Sequence, residues 1–91
     1  MKRIRIIVTG TVTGVGFRWW LKKEAEKRSI YGFAKNRTEN EVEVVLLGED
    51  KNVDELIKLV RKGPSSARVE NLSIQNYQKE YLRKSFDILQ D

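Results

Sequence analysis

The stretch Thr9-Gly10-Thr11-Val12-Thr13-Gly14-Val15-Gly16-Phe17-Arg18 places three glycines and then an arginine between two patterned segments. A strand-like run, Arg3 to Val8, precedes it, and a helix-like run from Trp19 to Arg28 follows. Glycine lets a backbone turn sharply and come close to a ligand. A helix start offers unpaired N–H groups and the positive end of a dipole. Together they form an anion site of the phosphate type. Arg18 adds to this, because a cation in a first helical turn is unfavourable and a bound anion would account for it. The same residues also suit a tight turn with a surface arginine, and the loop alone does not choose.

Composition narrows the chemistry. With 91 residues the chain holds one small domain, taken as residues 1–91, with one core. It has no cysteine, so disulfides and thiolate metal sites are excluded. It has no histidine, which removes the usual general base and the usual zinc ligand. Catalysis must then rest on positioning and electrostatics, or on a carboxylate, lysine or tyrosine. No carboxylate cluster of ligand spacing surrounds the glycine loop, so no metal and no cofactor are expected. No apolar run approaches bilayer length, which makes a cytoplasmic protein with no membrane contact the expectation. The net charge of +5 suits an anionic substrate or weak nucleic-acid binding.

The elements that must position the loop follow from periodicity. Residues 3–9 alternate as a strand, with Ile4, Ile6 and Val8 on one face. Phe17, Leu21 and Ala25 recur every fourth residue and define a helix over 17–28. Trp19 falls off that stripe and is read as partly exposed packing rather than as a substrate contact. Ser29 to Asn36 forms a second strand, in which Asn36 shares parity with Ile30 and Ala34 and should face the helices. Arg37 to Asn40 is read as a hairpin loop, and Glu41 to Leu47 as a central third strand. Val53, Leu56, Ile57 and Val60 mark a second helix, with Asp50 or Asn52 as its N-cap and Gly63-Pro64 as its stop. Ser65-Ser66 is a linker. Arg68 to Tyr77 is a strand carrying Val69, Leu72 and Ile74, Gln78 to Ser85 is loop, and Phe86 to Leu89 is a short closing strand. The order β-α-β-β-α-β predicts an α+β split β-α-β sandwich: a four-stranded antiparallel sheet, two helices on one face and a short C-terminal strand.

Val8 to Arg18 resembles the first signature of the acylphosphatase family. Gly32-Phe33-Ala34-Lys35-Asn36, followed by Val42 and Gly48, resembles the second, and Gly63-Pro64-Ser65-Ser66-Ala67-Arg68-Val69 resembles the motif after the second helix. The resemblance covers nearly the whole chain and implies a ferredoxin-like fold. It implies metal-free hydrolysis of acyl phosphates, such as carbamoyl phosphate and 1,3-bisphosphoglycerate, to carboxylate and phosphate. On this resemblance Arg18 binds the phosphoryl group, Asn36 orients the attacking water, and backbone N–H groups of Thr13, Gly14, Val15 and Gly16 hold the phosphate oxygens. The expected partners are a small-molecule acyl phosphate and inorganic phosphate as product and inhibitor, with no nucleic acid, for a monomer.

Three positions depart from the family's pattern. Thr13 stands where glutamine is usual, Asn40 where glycine is usual, and Arg28-Ser29 where Leu-Gly is usual. Asn40 is expected to take positive φ in the hairpin. Arg28-Ser29 is expected to weaken the end of the first helix and to remove a core contact. Two other classes share the element order. One is a non-catalytic ferredoxin-like regulatory domain, against which the presence of both Arg18 and Asn36 counts. The other is an RNA-binding module, but its aromatic motif belongs on the third strand, whereas Tyr31 and Phe33 lie on the second.

Overall fold

The structure, a computed structural model, describes residues 1–90. Its elements are β1 (Lys2–Thr11), α1 (Phe17–Lys27), β2 (Tyr31–Thr38), β3 (Glu41–Gly48), α2 (Asp50–Lys62), β4 (Arg68–Asn76) and β5 (Phe86–Leu89). The five strands form one mixed sheet in the order β4-β1-β3-β2-β5. All neighbours run antiparallel except β2 and β5, which are parallel. The expected sheet is therefore present, with the closing strand added beside β2.

Alternation decides which face is buried. Ile4, Ile6 and Val8 of β1, Ala34 of β2, and Val42, Val44 and Leu46 of β3 join one core with Phe17, Leu21 and Ala25 of α1 and Val53, Leu56 and Val60 of α2. Both helices thus pack on the same face. A bulge at Glu70, where the β1–β4 register shifts, brings Val69 and Leu72 of β4 against that core. β3 also buries Val45 and Leu47 on its other face, as the central strand should. The segment 77–85, expected only as polar loop, crosses that second face. Tyr77 N–H donates to Arg3 C=O (3.1 Å), and the Tyr81 ring lies over Phe33 with centroids 6.0 Å apart. Phe33 is thereby partly covered.

The ends of the elements depart from expectation in three places. Neither Asp50 nor Asn52 caps α2: Glu49 holds the N-cap position without a side-chain bond. Asp50 instead lies in the first turn, where its charge suits the dipole, and the Asn52 side chain donates to Arg28 C=O (3.2 Å). The second departure is the hairpin. β2 runs on to Thr38, which pairs with Glu41, so the turn is only Glu39-Asn40. Asn40 does not have positive φ; among the described residues Ser29 is the only non-glycine that does. A bulge at Arg37 supplies the local twist that a mirror-image turn would otherwise give. Asn40 C=O is taken by Gly10 N–H (2.9 Å), which ties the hairpin to the end of β1.

Ser29 is the third. It adopts φ 54°, and the two bonds of a Schellman ending are intact, from Ile30 N–H to Ala25 C=O (3.0 Å) and from Ser29 N–H to Glu26 C=O (3.2 Å). The helix end is formed as in a glycine-capped helix, but with a residue that pays for the left-handed conformation. Arg28, in place of a core side chain, pairs with Glu24 (2.9 Å). Two outcomes follow for denaturant melts. Ser29→Gly raises stability by up to about 1 kcal/mol, the relief of left-handed strain less the added freedom of the unfolded chain. Asn40→Ala is close to neutral, whereas a loss of about 1 kcal/mol would mean that residue 40 does occupy the left-handed region.

Candidate active site

The site stands where β1, β2 and β5 all end. β1 and β2 both pair antiparallel with β3, and β5 runs parallel to β2, so the three C-terminal ends share one edge of the sheet. α1 packs over β2 and β5. Its N-terminus therefore lies above Asn36 and Leu89.

The loop 13–16 connects β1 to α1. Gly14 (φ 71°) and Gly16 (φ 78°) both take the left-handed region, and a Cβ on either would meet open space. Glycine is required here by conformation and not by crowding. Gly16 is the N-cap of α1, and no side chain caps that end. The first N–H groups of the helix thus lack an acceptor of the kind that a serine or aspartate would provide. No acidic residue stands in the first turn either. Gly10, read from the sequence as part of the loop, lies in β1 instead.

Two hydroxyls hold the loop from outside. Thr13 Oγ1 donates to Glu39 C=O in the β2–β3 turn. Ser66 Oγ donates to Val15 C=O (2.9 Å) from the segment before β4. Both bonds tie the loop to neighbouring segments, and Val15 packs against the core. The side chain of Thr13 thus orders the loop, the task in doubt when threonine replaces glutamine. Ser66 was read only as linker. Its role has no signal in residue type, since serine is common in linkers.

Arg18 is half-buried, and its Nη1 donates to Leu89 C=O (3.1 Å). No salt bridge to Arg18 is present among the described residues. Asn36 faces the helices with Ala34, as its parity predicted. Its Oδ1 is buried and has no hydrogen-bond partner. A buried amide oxygen left unpaired costs on the order of 1–3 kcal/mol. Lys35 pairs with Leu89 across β2 and β5. Arg18, through Leu89 C=O, is therefore anchored at the β-partner of Asn36's neighbour. The arrangement provides backbone N–H donors, one cation and one free acceptor around a single edge. A groove of about 680 Å³ lies elsewhere, on the opposite sheet face between Arg5, Phe33, Lys35 and Tyr77. An anion the size of phosphate needs converging donors more than volume, so the loop is the better site.

β5 is held in register by a network that the sequence reading missed. Tyr81 O–H donates to the Asp87 carboxylate and lies 2.7 Å from Gly32 C=O. Ser85 Oγ bonds Asp87 (3.0 Å), and Arg83 pairs with it (3.1 Å). The Tyr81 bond, more than the flanking Ser85, Arg83 and Lys22, holds the Asp87 carboxyl below its ordinary pKa, against the opposing effect of burial. Burial, then the Asp87 charge, pushes the Tyr81 phenol up, so it stays a donor.

Residues 4–88 match the family described as Acylphosphatase. Over 88 residues the chain is 40% identical to the acylphosphatase of Chlorobaculum tepidum, covering 97% of this chain and 96% of that one. It is 41% identical over 88 residues to that of Actinobacillus pleuropneumoniae, covering 97% and 98%. The crystal structure of acylphosphatase from Bacillus subtilis superposes with a TM-score of 0.89 at 32% identity, covering 98% of this chain and 99% of that one.

The network at Asp87 has a pH signature. Its folded pKa lies below the unfolded value of about 3.9, so the stabilisation is complete above that value and is lost as pH falls through the lower folded value. Thermal melts should show Asp87→Asn less stable than wild type near neutrality, with the gap closing below about pH 4. A gap that stays constant into acid would mean that the carboxylate charge is not what holds β5.

Proposed function

The chain belongs to the acylphosphatase family, and from that premise we propose that Arg18 and the loop 13–16 clamp the phosphoryl group of an acyl phosphate while Asn36 orients the water that attacks it. The observation that carries this is Asn36 Oδ1, a buried acceptor without a partner. In this reading the attacking water is its donor. The protein is an acylphosphatase, a hydrolase, and the division of labour follows from its groups.

Arg18 offers two N–H prongs to two phosphoryl oxygens, a match that lysine cannot make. The N–H groups of Thr13, Gly14, Val15 and Gly16 and of the first turn of α1 face the same charge. Asn36 accepts from the water and orients its oxygen toward phosphorus. The water oxygen forms the new P–O bond as the acyl–O–P bond breaks, and the carboxylate leaves with the electron pair. A carboxylate is a good leaving group and needs no proton. The water's proton passes to a phosphate oxygen, so no histidine is required. Rate is gained mostly by positioning and by charge stabilisation. The reading assigns no role to a metal. The reading also takes the protein to work as a cytoplasmic monomer on a small molecule, without nucleic acid. Loop, arginine and asparagine all come from one chain, so the site needs no second copy.

Benzoyl phosphate hydrolysis tests these roles. Arg18→Ala lowers turnover by roughly 10²–10³-fold, the scale of one lost charge-stabilising donor, and Arg18→Lys restores little of it. Inorganic phosphate inhibits wild type competitively and binds both variants more weakly. Asn36→Ala loses most turnover but keeps phosphate affinity, because ground-state binding belongs to the arginine and loop. Its melting temperature holds or rises, since the side chain gives up an unpaired oxygen and no hydrogen bond. Equal loss of phosphate affinity in the two alanine variants would contradict this division. Activity persists in chelator, and a rate that returns only with added magnesium or zinc would contradict the metal-free reading.

A further inference from the structure

Trp19 follows Arg18 in the first turn of α1, and 60% of its surface is exposed. Its neighbour Trp20 packs on Phe17, with ring centroids 5.6 Å apart. Trp19 makes no ring pair among the described residues, and its exposure agrees with the partly exposed position expected from the sequence while leaving most of the indole free. Helical side chains lean toward the helix N-terminus. In the first turn that direction is toward the end of α1 that presents its N–H groups.

Trp19 shares an open groove of about 400 Å³ with Lys22, Arg83, Asp87, Ile88 and Leu89. Leu89 is itself 36% exposed. Its carbonyl accepts the bond from Arg18 Nη1 (3.1 Å), so the guanidinium stands at the rim of this groove. The charges in the groove are already answered within it. Lys22 Nζ donates to Phe86 C=O (2.6 Å) and pairs with Glu26 (3.1 Å), and Arg83 pairs with Asp87 (3.1 Å). What the groove presents beyond these pairs is the exposed indole of Trp19, with Ile88, Leu89 and Gln90 along its wall. A flat, uncharged group suits that surface, and a second anion does not.

We propose that Trp19 and Leu89 form the subsite for the acyl group of the substrate, and that they favour aromatic or extended acyl groups over acetyl. The proposal rests on Arg18 as the phosphoryl clamp. With the phosphoryl group at Arg18, the acyl group lies within reach of the groove whose rim Arg18 forms. Stacking on the indole then adds binding that acetyl is too small to collect.

Steady-state kinetics of wild type, Trp19→Ala, Trp19→Phe and Arg18→Ala on benzoyl phosphate and acetyl phosphate test it, with phosphate inhibition measured on each. Trp19→Ala lowers kcat/KM for benzoyl phosphate about three- to tenfold more than for acetyl phosphate, the worth of one aromatic pair. The change appears in KM, phosphate inhibition stays near the wild-type value, and Trp19→Phe recovers much of the preference. Equal effects of Trp19→Ala on both substrates, or no effect on either, overturn the subsite. If Arg18→Ala leaves both substrates and phosphate inhibition untouched, the phosphoryl clamp itself fails. If Arg18→Ala lowers both while Trp19→Ala leaves their ratio unchanged, the acyl subsite alone fails.

Discussion

Backbone N–H groups at a helix start can bind an anion only if nothing in the protein takes them first. α1 meets this condition at a cost. A side-chain cap of the usual kind is worth about 1 kcal/mol, and Gly16 supplies none. Arg18 adds an unfavourable charge at the positive end of the dipole. Much of the local structure serves to keep this end open. The Thr13 hydroxyl donates to Glu39 C=O and the Ser66 hydroxyl donates to Val15 C=O, and Val15 anchors the loop to the core. The loop is thus held without using the donors that a phosphate would need.

Strand order brings the other groups to that end. Because β1 and β2 flank β3 and β5 runs parallel to β2, the ends of three strands fall on one side. Asn36 reaches this edge from β2, and Leu89 C=O reaches it from β5 to hold Arg18. β5 is only four residues long and lies at the edge of the sheet. Its place depends on the Tyr81–Asp87 bond and on the segment that crosses the second sheet face. A polar network far along the chain from the loop therefore sets the position of the arginine.

The fold was legible because its elements are strongly periodic. Val53, Leu56 and Val60 could only be a helix stripe, and Ile4, Ile6 and Val8 only one face of a strand. The site was legible where residue type carried the role: glycine for left-handed backbone, arginine for charge, asparagine for a donor and acceptor on one side chain. What escaped was carried by backbone atoms or by common polar residues. Nothing in the letter Leu89 announces that its carbonyl will hold Arg18, and Ser66 reads as any linker serine. Asn40 misled for a related reason. A β-bulge at Arg37 let the hairpin close without positive φ, and bulges leave no mark in alternation short enough to see. Positive φ fell instead on Ser29, where a missing glycine did point to a helix end. Trp19 was off the buried stripe, but only its exposure beside Leu89 separates a free indole from a packed one.

The central claim is that one anion site is built from the amides of the loop and the first turn of α1 together with Arg18. Amide and side-chain NMR shifts during titration with inorganic phosphate test it most directly. The account predicts that the amides of Gly14, Val15, Gly16 and Phe17 and the Arg18 Nε–H move together with a single dissociation constant, and that the open sheet face around Arg5 and Lys35 stays unmoved. Shifts centred on Arg5, Lys35 and Tyr77, with the loop amides unchanged, would contradict it.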